Sequence, residues 1–371
     1  MKYLAENMNI ALVHDWITNL AGAERVMLEL NKMYPKAPIF TSVFDPNKAR
    51  PFSKLDVRPS FLQKLPFVKS KRELLIPLTP FAFEQFDLSK FGLVISSTTM
   101  AAKGVLTKPD AVHICYCHTP ARYLWEPGID PRASKGFLSP LKKNVSRRMR
   151  VWDKVAADRV DYFIANSNYI AQRIKKYYDR DAIVVYPPVD VNRFKPVAKS
   201  EIGDYFLFVS RLVEYKKCDI IVEAFNDLGF PLKIIGQGSE KKRLTKMAKS
   251  NIEFLGHLTD EEIANYYAKA KAFVFAAEED FGIVPVEAMA AGRPVIAFNG
   301  GGVRETVIDK VTGIFFDEQT PQCIIDAVKK FNPNEFDPAV IRKQAEKFSN
   351  ERFQKEFKKT ISDILKEEGK S

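Results

Sequence analysis

Only four cysteines occur in the 371 residues, Cys115, Cys117, Cys218 and Cys323. None forms a Cys-x-x-Cys pair, and no histidine stands at metal-ligand spacing beside them, so neither a zinc site nor a disulfide framework is indicated. Cys115 and Cys117 alternate within an apolar run, where cysteine packs as a small hydrophobe. This usage fits a reducing, cytoplasmic compartment. No apolar stretch approaches the ~20 residues that a membrane-spanning helix needs. A signal-peptide layout is missing too: Met1–Met8 is short and polar, and the next apolar run reads as a core strand. Met1 and Met8 both stand open as the native start. There is no short repeat, no low-complexity tract, and no RNA-recognition signature that would mark a nucleic-acid-binding module.

What is present describes a globular α/β protein. Hydrophobic residues make up 46% and charged residues 28% of a chain longer than one hydrophobic core usually serves, so two domains are expected. Charge is unevenly divided. Residues 1–190 hold 29 Lys and Arg against 18 Asp and Glu, whereas residues 191–371 hold 28 of each, so the whole net charge of +11 belongs to the first half. That asymmetry points to an anionic partner there: a membrane surface, a polyphosphate lipid or a nucleic acid.

Short apolar runs alternate with helix-period segments throughout. The first half predicts strands at Asn9–Val13, Gly92–Ser96, Ala111–Cys117, Tyr162–Ala165 and Ile183–Tyr186, with helices such as Ala23–Met33 and Tyr169–Tyr178 between them. Pro187-Pro188-Val189-Asp190 breaks the rhythm and reads as a linker reaching Pro196. The second half restarts it with strands at Phe206–Ser210, Leu232–Ile235, Ile252–Leu255, Ala272–Phe275, Val295–Phe298 and Gly313–Phe316. Helices there include Asp219–Asp227, Asp260–Ala268 and Pro285–Ala291. A charged amphipathic helix over Phe348–Glu367 closes the chain. Strands spaced by helices argue for parallel sheets covered on both faces. The expected division is a first domain over 1–190, a second over 191–344, and a C-terminal helix, 345–371, packing back on the first. Open α/β sheets bind ligands at the carboxyl ends of their strands, which puts the site in the cleft between the two.

The most informative stretch runs from Glu279-Asp280-Phe281-Gly282-Ile283 through Pro285 and Glu287 to Gly292-Arg293-Pro294. It reads as strand, loop, helix, turn, strand. Gly282 lets the loop bring backbone N–H groups close to a ligand, and Pro285 suits a first helical turn. Glu279 and Glu287 can each hydrogen-bond hydroxyls, although an isolated pair of glutamates is more often surface charge. Ser210-Arg211-Leu212-Val213-Glu214-Tyr215-Lys216 places two cations after a strand. His118-Thr119-Pro120 ends another strand and leads into Arg122, Tyr123 and Trp125. Ala21-Gly22-Ala23-Glu24 opens the first long helix, where free N–H groups suit an anion. Gly236-Gln237-Gly238 and Gly300-Gly301-Gly302 also follow strands.

Together these segments resemble the GT-B-fold retaining glycosyltransferases of family 4, across nearly the whole chain. The resemblance implies two Rossmann-like domains facing each other across a deep cleft, the second holding a sugar nucleotide. It implies that Glu279 contacts the transferred sugar, Glu287 the ribose, and Arg211 with Lys216 the diphosphate. A metal-free transferase needs such a cationic pair to stabilise the departing diphosphate. His118 would orient the donor sugar. Gly22, Gly236, Leu258, Asp280, Phe281, Gly282 and Ile283 would line the donor. Glu-Asp-Phe-Gly in place of the commoner Glu-Gly-Phe-Gly, with His-Thr-Pro-x-Arg-Tyr-Leu-Trp, is similar to the mannosyltransferase branch. The expectation is therefore a hexose, mannose from GDP-mannose, moved without metal or other cofactor to a lipid-linked or glycan acceptor in cell-surface polysaccharide synthesis.

For the acceptor and membrane side the expected residues are Arg122, Tyr123, Trp125, Lys142, Lys143, Arg147 and Arg148, with a second basic-apolar segment at Lys64, Phe67, Lys69 and Lys71. Basic side chains interleaved with Phe, Trp and Leu suit the anionic inner face of a cell membrane bearing a polyprenyl-diphosphate-linked glycan; a solvated helix face explains them equally well. Asp179-Arg180-Asp181 spells the metal motif of another transferase fold but falls where a turn is expected. Other readings stay open: a UDP-sugar donor with a soluble acceptor, or a basic nucleic-acid- or membrane-binding module without catalysis. A nicotinamide-dependent oxidoreductase lacks its third glycine after Gly236-x-Gly238.

Overall fold

The computed structural model describes residues 8–66, 68, 72–126 and 139–370. Its first sheet contains seven strands: β1 (Ile10–His14), β2 (Ile39–Thr41), β3 (Val57–Pro59), β4 (Leu93–Thr98), β5 (Val112–Cys117), β6 (Tyr162–Ala165) and β7 (Ala182–Val184). They lie in the order β3-β2-β1-β4-β5-β6-β7, and every pairing is parallel. β1, β4 and β5 are buried along their full length, as expected of central strands covered on both faces.

Alternate residues of these strands feed two cores. Leu12, Leu93, Ile95, Ile114 and Tyr116 meet the helix Gly22–Met33 and the C-terminal helix Asn350–Glu367, which contributes Phe353, Phe357, Ile361, Ile364 and Leu365. On the other face Ala11, Val13 and Val94 pack with Phe83 and Trp152, while Cys115 and Cys117 pack with the helix Asn168–Tyr178. The two strands absent from the sequence expectation, β2 and β3, are three residues each, and β3 carries Arg58 and Pro59 with no apolar run to betray it.

A second sheet holds β8 (Phe206–Val209), β9 (Leu232–Ile235), β10 (Ile252–Gly256), β11 (Ala272–Phe275), β12 (Val295–Phe298) and β13 (Gly313–Phe316), in the order β10-β9-β8-β11-β12-β13, again all parallel. Helices Cys218–Leu228 and Pro321–Lys330 cover one face through Ile221, Val222, Phe225, Ile324 and Val328. In both sheets the order reverses beside the first strand, at β1/β4 and at β8/β11, which is where ligands of doubly wound sheets bind. The chain divides into two compact units, one running to Pro188 and resuming at Phe353, the other Val189–Arg352.

Candidate active site

In the second unit, four loops leave the carboxyl ends of adjacent strands. After β8, Ser210–Lys217 carries Arg211 and Lys216. Lys216 Nζ pairs with the Glu279 carboxylate, which arrives in the loop after β11. Arg211 is exposed and its Nη2 donates to the Tyr215 hydroxyl at 2.6 Å. The Lys216 ammonium lies 5.1 Å from the centre of the Tyr215 ring, so Tyr215 stands between the two cations.

Bare backbone surrounds them. A Cβ at Gly236 would overlap the Ser210 carbonyl, and one at Gly238 would overlap that of Leu212. The loops after β8 and β9 are stitched by Leu212 N–H donating to Gln237 O at 2.9 Å and Glu240 N–H to Leu212 O at 3.0 Å. Gly301, at φ +70°, and Gly302 lie equally close to Glu279 and Asp280, with Gly302 N–H donating to Glu279 O at 2.8 Å. Gly282, at φ +88°, caps the helix Ile283–Ala290. Phe281 turns inward to Phe348, ring centres 5.5 Å apart. Asp280, Ile283 and Leu258 are each half-buried, Leu258 lying just past the end of β10.

Glu287, one turn into that helix, is engaged by side chains the sequence did not single out. Arg193 Nη2 donates to its Oε1 at 3.0 Å and the Tyr267 hydroxyl to its Oε2 at 3.3 Å. Thus the structure joins Lys216 to Glu279, and Glu287 to Arg193 and Tyr267.

In the first unit, His118 directly follows β5. Its Nε2 lies 2.8 Å from Ser97 Oγ, and its ring stands edge-on to Tyr116, centres 5.1 Å apart. Burial, reinforced by His14 nearby, drives its pKa down to about 3, so the ring is neutral. His14 Nδ1 donates to the Ser97 carbonyl at 3.0 Å. Beside it Asp15 is buried and accepts backbone N–H bonds from Thr99, Ala101 and Ala102 at 2.6, 2.8 and 2.8 Å, plus the hydroxyls of Thr98 and Thr99. It therefore shapes the loop after β4. The only sequence cue for His14 and Asp15 was their polarity directly after an apolar strand.

Gly22 begins the helix Gly22–Met33, yet the chain supplies its own anion there: Glu24 is buried and accepts the Ala21 N–H at 3.0 Å. Trp125 is committed inside the unit. Its Nε1 donates to Asp153 at 2.7 Å, and its ring stacks on Tyr177 with centres 5.2 Å apart. Asp153 also pairs with the fully buried Lys103 and accepts the Tyr178 hydroxyl at 2.8 Å. Arg122 and Tyr123 are half-buried on the short helix Arg122–Trp125. Lys143, Arg147 and Arg148 are exposed on the helix Ser139–Asp158; the Lys142 side chain, and Phe67, Lys69 and Lys71, lie outside the described residues. Asp179 is the left-handed C-cap of the helix Asn168–Tyr178, and Lys175 Nζ lies 3.3 Å from both Asp179 and Asp181. Among the described residues no cluster of three or more His, Cys, Asp or Glu is arranged to hold a metal, and no helix is long and apolar enough to cross a membrane.

Comparison with known proteins gives two adjoining family matches: "Glycosyltransferase Family 4" over residues 20–193 and "Glycosyl transferases group 1" over residues 191–350. An uncharacterised glycosyltransferase of Methanocaldococcus jannaschii is 34% identical over 193 residues, 50% of this chain and 54% of that protein. The GDP-mannose-dependent alpha-(1-6)-phosphatidylinositol monomannoside mannosyltransferase of Mycobacterium tuberculosis is 30% identical over 221 residues, 52% of this chain and 56% of that protein. The chain thus spans about half the length of these curated relatives. Among solved structures, Anabaena HepE in complex with UDP and glucose superposes with a TM-score of 0.71 at 19% identity, covering 96% of this chain and 100% of that one.

Proposed function

Because the chain belongs to glycosyltransferase family 4, with the two Rossmann-like units of the GT-B fold, we propose that it moves a hexose from a sugar nucleotide to an acceptor hydroxyl without a metal ion. The observation that carries this reading is the gathering of Arg211, Lys216 and Glu279 among the bare glycine loops at the carboxyl end of the second sheet. Two cations at the strand ends suit a nucleoside diphosphate, and a carboxylate beside them suits the hydroxyls of the sugar it carries.

In the proposed reaction the bond between sugar C1 and the diphosphate oxygen breaks, and its electrons stay with the phosphate. Arg211 and Lys216 stabilise that charge. The acceptor oxygen bonds C1 from the same face, so configuration is retained, and its proton passes to the departing phosphate. Glu279 must first exchange Lys216 for sugar hydroxyls as the lysine turns to the phosphate. His118, neutral through burial, would orient the sugar by hydrogen bonding and carry no charge toward the diphosphate. Mannose from GDP-mannose is the favoured donor, supported by the Glu-Asp-Phe-Gly and His-Thr-Pro segments and by the mannosyltransferase relative. A lipid-linked glycan in polysaccharide synthesis is the favoured acceptor.

The proposal extends to a membrane-facing surface on the first unit. There Val151 (63% exposed), Val155, Leu74 (73%) and Phe81 are open apolar side chains, and Arg147 and Arg148 flank the first two. Trp152 Nε1 donates to Glu84 at 2.9 Å, joining the helix Ser139–Asp158 to Thr79–Glu84, which carries Phe81. Basic and apolar groups side by side on the helix Ser139–Asp158 suit anionic lipid.

The deciding experiment is a metal-free binding panel of GDP, UDP, ADP and their hexose conjugates. Selective binding of GDP and GDP-mannose is expected. Selective UDP or ADP binding discards mannose, and no binding overturns the transferase reading. Flotation with anionic and neutral vesicles tests the membrane surface; equal recovery in both refutes it.

A further inference from the structure

Arg193 stands outside every motif in the sequence, in the linker turn Val191–Arg193 that opens the second unit. Its guanidinium is nevertheless only 17% exposed and bridges two carboxylates, Asp260 at 2.6 Å and Glu287 at 3.0 Å. It also lies over the Phe194 ring, 4.6 Å from its centre. Phe194 is fully buried and packs edge-on against Tyr267, the second partner of Glu287, with centres 5.4 Å apart. A second arginine fixes the same segment: Arg342 Nη1 donates to Phe194 O at 2.5 Å and to Ala290 O at 2.6 Å, at the far end of the helix that bears Glu287. The linker is therefore fastened to the C-terminal half of this helix, at Glu287 and, through Arg342, at Ala290.

A carboxylate offers about four acceptor positions. Bonds from Arg193 and Tyr267 to different oxygens set the plane of the Glu287 carboxylate. A rigid carboxylate of fixed plane suits a vicinal diol, since both hydroxyls must be met together.

We propose that Arg193 is a positioning residue for nucleotide recognition: by clamping Glu287 against Asp260 it gives the site its preference for a ribose diol over a deoxyribose. This rests on the proposed role of Glu287 at the ribose.

The test is calorimetric binding of GDP, 2′-deoxy-GDP and 3′-deoxy-GDP to the full chain, with the UDP and ADP series in parallel, for the wild type and for Glu287→Gln, Arg193→Ala and Arg193→Lys. Wild type should favour the ribonucleotide by about ten- to a hundred-fold, the worth of a hydrogen bond to a charged group. Glu287→Gln should lose that preference. Arg193→Ala should lose most of it while still binding diphosphate, and Arg193→Lys should recover part, because an ammonium keeps the charge but not the fork that bridges both carboxylates. A full wild-type preference in Arg193→Ala overturns the inference and leaves the role of Glu287 standing. A preference that survives Glu287→Gln, or is absent from wild type, overturns the ribose reading itself. A stabilising role alone would weaken all three ligands equally, which also refutes the proposal.

Discussion

Lowering the pH from 7 to 5 is expected to destabilise the first unit by about 4 kcal/mol through two buried histidines. His113 and His118 each have a pKa pushed down to about 3 by burial, against an ordinary 6.5. Protonating His113 is especially unfavourable: Nε2 lies 2.8 Å from Ser96 Oγ, and Nδ1 is buried with no partner among the described residues. The unfolded chain is thus the better proton binder between pH 3 and 6.5, so the contribution is complete above 6.5 and lost as pH falls toward 3. At pH 5 each ring accounts for about 2 kcal/mol, and the combined slope reaches about 2.7 kcal/mol per pH unit. All three tryptophans, Trp16, Trp125 and Trp152, lie in the first unit, so urea unfolding followed by their fluorescence reports on it alone. His113→Gln and His118→Gln should each remove about half of the slope between pH 7 and 5, whatever their stability at pH 7. Wild-type slopes in both variants would refute the reasoning.

Arg211→Ala should lower kcat at least ~100-fold with an unchanged melting temperature; near-normal turnover removes Arg211 from the leaving-group role. Turnover should persist in excess EDTA, since Asp179 and Asp181 both face Lys175; loss on chelation with rescue by Mn²⁺ or Mg²⁺ would refute it. Phe357→Ala, in the fully buried face of the C-terminal helix, should cost the first unit ~3–5 kcal/mol in the same fluorescence assay; a cost below ~1 kcal/mol would mean that the helix is not part of that core.

Strands such as Ala272–Phe275 and Val295–Phe298 were legible to the residue because central parallel strands are apolar on both faces. The helix over Phe348–Glu367 was legible from its periodicity, starting two residues late at Asn350. Glu279 was visible because glycines and prolines punctuate its segment, and Arg211 and Lys216 through the family pattern their segment resembles, but the Lys216–Glu279 pair spans 63 positions and needed the fold. Lys103 carried no signal in the sequence, yet it is buried against Asp153, fifty residues away. Asp15 and Arg193 escaped for the same reason. A polar side chain that finishes a hydrogen-bond network leaves no periodic trace; its meaning lies in partners that only the parallel register brings together.

The first unit is interrupted in sequence by the second, and its core takes five side chains from beyond residue 352. During synthesis this imposes an order. Residues 189–352 are contiguous and can fold as soon as they emerge, whereas the sheet begun at Ile10 lacks part of one face until Leu365 has been added. At roughly 5–20 residues per second that wait lasts on the order of 10–35 s after Pro188. Throughout it, Leu12, Ile114 and Tyr116 remain incompletely covered. A chain shortened by its last nineteen residues would keep the proposed donor-binding unit whole and leave the first unit permanently in that unfinished state, open to chaperones and aggregation.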